Sequence, residues 1–377
     1  MKFIPFNRPS LTGNEIEYIT QSINTGHISG DGPFTKKAQK LLERQLHVKK
    51  ALLTTSCTHA LEMAAILLDL MPGDEVIVPS YTFVSTALAF YMHGAKIVFA
   101  DIRPDTLNID ESRLEQLITD KTRAIVPVHY AGVGCEMDTI MQIANHYKLV
   151  VIEDNAHGLY GKYKSKYLGS FGDMATQSFH ETKNITCGEG GALIINNDKY
   201  LERAEIIREK GTNRSNFLCH QVDKYTWVDK GSSYVLSDIL AGFLYGQLEH
   251  AEKIQKKRAS AWLTYYKSLE NWSSKNNILL PKTPHHCNQA YHMFYLLMPN
   301  LVTRTRFIKY LETNNINAVF HYIPLHLSSI GKKFRNSEAE LPISINISDR
   351  LVRLPFFNNI SKNEMDEIIQ VIKQFES

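Results

Sequence analysis

Between about residue 50 and residue 196, short apolar runs alternate with stretches of helical period. The runs are Leu52–Thr54, Val76–Pro79, Ile97–Asp101, Ala124–His129, Val150–Asp154, Thr176–Phe179 and Leu193–Asn196. They are nearly continuous in apolar character, as strands buried on both faces are. Between the first two, Leu61, Ala64, Ala65 and Leu68 fall at i, i+3, i+4 and i+7, one face of a helix. The pattern predicts an α/β fold with a mostly parallel seven-stranded sheet covered on both sides. In such sheets ligands gather at the carboxyl ends of the strands, where Ser56, Asp154 and Ser178 stand. Tyr200 to Lys210 reads as a helix stopped at Gly211. Residues 212–235 are polar and aromatic with little periodicity, an expected active-site or interface loop. A long helix is expected from Ser237 to Leu269, then a smaller α/β part with strands near His292–Met298 and Asn317–Tyr322. The expected division is a large domain over residues 1–245 and a small C-terminal domain over 246–377.

A chain of 377 residues can bury a large core, and 44% apolar with 21% charged residues is ordinary for a globular enzyme. The net charge of +3 gives no reason to expect a nucleic-acid or membrane partner. Cysteines at 57, 135, 187, 219 and 287 form neither a C-x-x-C pair nor a disulfide framework. No run approaches the roughly 20 apolar residues of a membrane helix, and a cytoplasmic setting is expected.

Two segments carry candidate chemistry. Val150-Val151-Ile152-Glu153-Asp154 is a buried strand ending on carboxylates. Lys183 follows the strand-like Met174–Phe179 and precedes Gly188-Glu189-Gly190-Gly191, which opens the next strand. A turn there can hold an amine on the floor of a cleft, where desolvation makes it nucleophilic. A strand-end Asp with a loop Lys is the pairing pyridoxal 5′-phosphate needs: the carboxylate keeps the ring nitrogen protonated and the lysine bonds to the aldehyde. Thr55-Ser56-Cys57-Thr58 precedes the Leu61 helix, whose N-terminus suits the cofactor phosphate, though Ser56 or Thr58 can equally be a plain N-cap.

Six segments in order, Gly30–Thr35, Ser56–Leu61, Pro79–Phe83, Glu153–His157, the Lys183 segment and His321–His326, resemble the DegT/DnrJ/EryC1/StrS-type nucleotide-sugar aminotransferases. Within them the chain looks most like enzymes that install the C4 amine of dTDP-4-amino-4,6-dideoxyhexoses. The resemblance implies a fold-type-I homodimer with active sites at the interface, Lys183 and Asp154 as catalytic residues, and pyridoxal phosphate as cofactor. It implies cofactor contacts from Ser56, Cys57, Thr58, Phe83 (stacked on the ring), His157 (near the phenolic oxygen), Ser178 (on the phosphate) and Ser233. His180, Tyr322 and His326 would face the sugar. Ser233 and Val235 stand where many relatives have an Asn and an Arg, so the partner's phosphate contact falls to Ser233 or nearby Arg214. The implied reaction takes the amine of L-glutamate to C4 of dTDP-4-keto-6-deoxyglucose, giving the gluco product (viosamine) or its galacto epimer (fucosamine), for a surface polysaccharide such as O-antigen.

Other classes fit less well. No G-x-G-x-x-G opens a helix after the first strand, against a nicotinamide dehydrogenase. His180-Glu181 has no second His at zinc-enzyme spacing, and no metal is expected. A Cys57 nucleophile has no assignable His partner. A non-catalytic sugar-binding protein on the same fold would be favoured by loss of Lys183 or Asp154, and both are present.

Overall fold

The structure, a computed structural model, describes residues 2–214, 223–334 and 341–376. Residues 215–222 of the expected 212–235 loop, with Cys219, lie outside them. All seven apolar runs form strands: β1 (Lys50–Thr54), β2 (Glu75–Pro79), β3 (Lys96–Ala100), β4 (Thr122–Ile125) and β5 (Val150–Asp154). After a small hairpin, β6 (Lys162–Tyr163) and β7 (Lys166–Tyr167), come β8 (Met174–Ser178) and β9 (Gly191–Ile195). They make one seven-stranded sheet in the order β1-β9-β8-β5-β4-β2-β3. From β8 to β3 every neighbouring pair is parallel, and β9 runs antiparallel to both β1 and β8.

The helices of this part are α1 (Glu15–Asn24), α2 (Pro33–Leu46), α3 (Cys57–Leu67), α4 (Ser85–Met92), α5 (Met137–Tyr147), α6 (Leu201–Arg208) and α7 (Asp238–Glu249). Alternation along the strands sorts them onto two faces. Leu52, Val76, Val78, Ile152, Leu193 and Ile195 pack with α3, α4 and α6. Ala51, Leu53, Ala175, Ala192 and Ile194 turn the other way and pack with α2 and α7. Further along that second face, Ile77, Ile125 and Val151 pack with α5. Burial on both sides is why most of these strands are nearly continuous in apolar residues, β8 with Thr176, Gln177 and Ser178 excepted.

The expected single helix over Ser237–Leu269 is two, α7 and α8 (Ala251–Lys275), broken at His250, whose φ of −107° and ψ of 16° leave the helical region. No Gly or Pro marks this break, so periodicity ran across it. A second core contains Trp262, Tyr265 and Leu269 of α8, Phe307 and Leu311 of α9 (Leu301–Thr313), and Ile368 and Ile372 of α11 (Lys362–Lys373), with α10 (Pro342–Arg350) preceding β12. Its strands β11 (Tyr295–Leu297) and β12 (Leu351–Arg353) pair antiparallel, while β10 (Cys287–Asn288) pairs with β6. Residues 317–322 form no strand, only a bridge from Val319 to Arg353. Ile4 belongs to this second core through a bridge to Ile316.

Candidate active site

The carboxyl ends of β5 and β8 and the N-terminus of α3 converge on a cavity of about 330 Å³. Asp154, the last residue of β5, is buried with its carboxylate committed on one side. Oδ2 accepts a hydrogen bond from Thr86 Oγ1 at 2.7 Å, and Oδ1 accepts one from Ala156 N at 3.2 Å. Thr86 lies within 2.9 Å of the Thr82 hydroxyl, so two α4-side threonines fix the carboxylate's direction. Glu153, its neighbour on the other face of the strand, accepts from the backbone N–H groups of Gly169, Phe171 and Gly172 at 2.7–2.8 Å. It also accepts from His129 Nε2 at 2.9 Å, because His129 Nδ1 already accepts from Cys135 N. Four donors around one buried carboxylate anchor the loop after β7 to the strand end that carries Asp154.

Lys183 sits in the turn after β8, its N–H bonded to His180 O at 2.9 Å. The next residue, Asn184, is buried and holds the turn: its amide donates to Ala290 O at 2.7 Å and its oxygen accepts from His292 Nδ1 at 3.0 Å. Burial brings the Lys183 amine down from its ordinary value of 10.5 to about 8; Cys57 and Asp154 pull the other way, and the charge of Arg353 adds to the fall. A larger uncharged fraction therefore exists near neutral pH than an exposed lysine would have.

α3 begins against the β8–β9 turn. A Cβ on Gly191 would collide with the backbone of Ser56 and Cys57, so only glycine permits this approach. Ser56 caps the helix by accepting from His59 N at 3.1 Å, and Thr58 Oγ1 lies 2.8 Å from Ser85 Oγ. The plain N-cap reading of Ser56 is thus realised, and its residue still lines the cavity. The Cys57 thiol, pushed up to about 12 mainly by burial, stays protonated, which removes the cysteine-nucleophile alternative.

Of the other residues singled out from the sequence, Phe83, His157, Ser178, His180 and Tyr322 also line the cavity. Phe83 leaves 55% of its surface open and its ring is 6.0 Å from that of Tyr322. His157 is 7% exposed, stacks on His292 at 4.2 Å, and is held neutral by burial, well below its ordinary range. His180 leans on Thr182 and lies 3.6 Å from Glu189.

Two expectations are not met within one chain. His326 does not line the cavity: it is 1% exposed, with Nδ1 2.6 Å from Ser80 Oγ, in the packing beneath. The Ile-Pro-Leu neighbourhood drew it inward. Ser233 is exposed and away from the cavity, bridging Glu209, and Arg214 pairs with Glu209 Oε1 at 3.1 Å. The Gly30–Thr35 segment fastens helices: Asp238 of α7 accepts from Phe34 N, Thr35 N and Thr35 Oγ1. Residues not named as site candidates from the sequence are Phe6, Thr82, Tyr130, His292, His321 and Arg353, all on the cavity wall, Thr82 and His321 lying within the Pro79–Phe83 and His321–His326 segments. Of the other four, from distant segments, only Arg353, a cation inside the apolar Leu351–Leu354 run, carried a local signal.

A model of the DegT/DnrJ/EryC1/StrS aminotransferase family matches residues 9–373. The chain belongs to this family. It is 32% identical over 389 residues to the GDP-perosamine synthase of Escherichia coli O157:H7, covering 100% of both chains. It is 31% identical over 379 residues to the spore coat polysaccharide biosynthesis protein SpsC of Bacillus subtilis, covering 98% of this chain and 96% of that one. The PLP form of Spr1654 from Streptococcus pneumoniae superimposes with a TM-score of 0.90 at 27% identity, over 99% of this chain and 98% of that one. The protein is therefore a pyridoxal-phosphate-dependent sugar aminotransferase of fold type I.

The cavity fits the cofactor on its own terms. His157 Nδ1 is buried with no hydrogen-bond partner among the described residues, an arrangement that is costly unless a ligand atom meets it. Phe83 offers an open aromatic face, Asp154 a directed carboxylate and Lys183 a partly neutral amine. Among the described residues no cluster could hold a metal, and no helix is long and apolar enough to cross a membrane.

Proposed function

We propose that the enzyme moves the amino group of L-glutamate to C4 of a nucleotide-linked 4-keto-6-deoxyhexose, with dTDP-4-keto-6-deoxyglucose as the acceptor. The observation that carries the chemistry is the placing of Asp154 and Lys183 on the wall of one cavity, the first with a fixed carboxylate and the second with an amine lowered to about 8. The acceptor rests on the resemblance of Gly30–Lys36 and His321–His326. The product is dTDP-4-amino-4,6-dideoxyglucose, its C4 epimer being the alternative, for a surface polysaccharide. A second reading has specific support: perosamine is a 4-amino-4,6-dideoxyhexose, and relatives named GDP-perosamine synthase are 31–32% identical over nearly the whole chain. It keeps the C4 chemistry and replaces the nucleotide by GDP.

Bound, the cofactor supplies an electron sink and carries the nitrogen between donor and acceptor. Asp154 Oδ atoms, steered by Thr86, hold the proton on the ring nitrogen. Phe83 would stack on the cofactor ring, and His157, whose buried Nδ1 has no partner among the described residues, would bond the ring's oxygen substituent. Ser178 and the α3 N-terminus at Ser56–Thr58 would hold the phosphate. Lys183 Nζ shuttles a proton to and from the reacting carbon, which needs an amine whose protonation changes near working pH. Tyr322 and His180 border the space left for the sugar. Ser233 reaches the phosphate of a partner copy, which makes the working unit a homodimer; the two domains divide near residue 245.

Purified enzyme with glutamate is offered dTDP-4-keto-6-deoxyglucose, its 3-keto isomer and the GDP-linked 4-keto-6-deoxymannose. The proposal expects amination of the dTDP 4-keto sugar, with the 3-keto isomer a poor substrate because a misplacement of about 1 Å can cost about 10²-fold. The H4 coupling of the product gives the epimer. Turnover of the GDP sugar alone establishes the second reading, and turnover of neither 4-keto sugar refutes both.

A further inference from the structure

Three arginines are buried among the described residues, Arg208, Arg258 and Arg353. Arg208 pairs with the Asp31 carboxylate. Arg258 is satisfied by the Tyr291 and His292 carbonyls at 2.8 and 2.6 Å and by Asn358 Oδ1 at 2.7 Å. Arg258 also lacks a carboxylate but has its donors met by three neutral oxygens, whereas Arg353 faces the cavity with most of its donors unmet. It is 7% exposed, lines the active-site cavity, and has no carboxylate within ion-pairing distance among the described residues. Its single hydrogen-bond partner there is His321 Nδ1 at 2.9 Å, and its Nε is buried with no partner.

That one partner cannot neutralise it. A guanidinium only donates, so His321 Nδ1 must be the acceptor and the ring proton sits on Nε2. Burial, with Arg353's charge next, pushes His321 down to about 4, so the imidazole is neutral at working pH. The uncompensated charge is felt across the cavity, lowering Lys183, His157 and His292 as well. Leaving a cation buried without a counter-charge is expensive, and sites tolerate it when a ligand brings the opposite charge.

The guanidinium is also held for a purpose a mobile surface residue could not serve. Arg353 ends β12, paired to Tyr295 in β11 on one side and, on the other, bonded by N and O to Val319 at 2.7 and 3.1 Å. Its guanidinium carbon lies 4.9 Å from the centre of the Phe6 ring, so the ring packs against the guanidinium while both residues line the cavity. A fixed, planar fork of donors matches a carboxylate in two-point contact.

We infer that Arg353, with His321 beside it, is the subsite that binds a carboxylate of the amino-acid donor. The inference rests on the donor being glutamate, as proposed above. The cofactor phosphate is assigned elsewhere, at Ser178 and the α3 N-terminus, and the acceptor's hexose is uncharged, so the anions left are a donor carboxylate and the acceptor's diphosphate; the donor must bring its α-carbon to Lys183 in the cavity that Arg353 lines, and the kinetics below separate the two.

The test uses cofactor-loaded wild type, Arg353→Gln and Arg353→Lys. Steady-state kinetics give KM for glutamate and for the nucleotide sugar, and calorimetry gives the Kd of glutarate, a dicarboxylate that cannot react. Arg353→Gln is expected to raise KM for glutamate and the Kd of glutarate about 30- to 100-fold, with KM for the nucleotide sugar and the bound cofactor's absorbance within about threefold of wild type. Arg353→Lys should recover part of the loss, since it keeps the charge and loses the fork. A glutarate Kd unchanged within threefold in both variants overturns the inference, and so does a loss that falls on the nucleotide sugar. If wild type turns over no ketosugar with glutamate the proposed function fails, yet glutarate binding still decides the role of Arg353. Should Arg353→Gln not fold, the lysine variant and its glutarate Kd carry the same decision.

Discussion

Asp154→Asn separates the electronic role of this residue from its structural one, because the site lets the amide fit. The replacement has the same shape, Ala156 N can still donate to Oδ1, and the Thr86 hydroxyl can turn to accept from Nδ2 in place of donating to Oδ2. What is lost is the negative charge facing the ring nitrogen. A hydrogen bond to a charged group is worth about 1.5–3 kcal/mol. At about 1.4 kcal/mol per tenfold, the loss on the proton-transfer step is at least about 10- to 100-fold. The assay is the single-turnover half-reaction with glutamate, followed by the cofactor's absorbance at saturating cofactor, with a thermal melt to verify folding. The expected result is a variant that melts near wild type, binds cofactor and reacts at least tenfold more slowly. A half-reaction within about threefold of wild type, on fully loaded protein, refutes Asp154 as the partner of the ring nitrogen.

Other predictions follow from the same geometry. Capture of free pyridoxal phosphate by the apoprotein should quicken with pH with its midpoint near pH 8, the value burial gives Lys183, and a midpoint near 10.5 would contradict it. The sign for stability agrees: between about 8 and 10.5 only the unfolded lysine holds its proton, so this group's contribution grows with pH there and its cost is greatest below 8. Glu153→Gln should lower stability by about 2–6 kcal/mol in urea unfolding, because the new amide would face donors at Gly169 N and His129 Nε2, each worth about 1–3 kcal/mol when unsatisfied. A wild-type midpoint would show that the four-donor cage does not hold the loop. His157→Phe should weaken cofactor binding by about three- to tenfold in an absorbance titration, the worth of one neutral hydrogen bond, and unchanged affinity would mean its buried Nδ1 meets no cofactor atom.

The sheet was legible because burial on both faces makes most of its strands near-continuous apolar runs, β8 with Thr176, Gln177 and Ser178 being the polar exception, and all seven runs from Leu52 to Asn196 became strands. The break at His250 was not, since no residue there disrupts helical period, and residues 317–322 were misread because their apolar side chains serve loop packing with one bridge at Val319. Ser56, Asp154 and Ser178 were read at strand ends and Lys183 in the turn after β8, and the structure places all four on the wall of one cavity. His326 failed for the opposite reason, since a polar residue near the site can spend its hydrogen bond on Ser80 instead of a ligand. Arg353, His321 and Phe6 reach the cavity from segments far apart in sequence, and no local pattern joins them.

The central claim is that Lys183 holds the cofactor, and covalent trapping tests it most directly. Cofactor-loaded enzyme is reduced with sodium borohydride, digested and mapped by mass spectrometry. The account predicts the phosphopyridoxyl group on the peptide containing Lys183 and no trapped cofactor in Lys183→Ala that remains folded. A label on another lysine, or equal labelling in the variant, would contradict it.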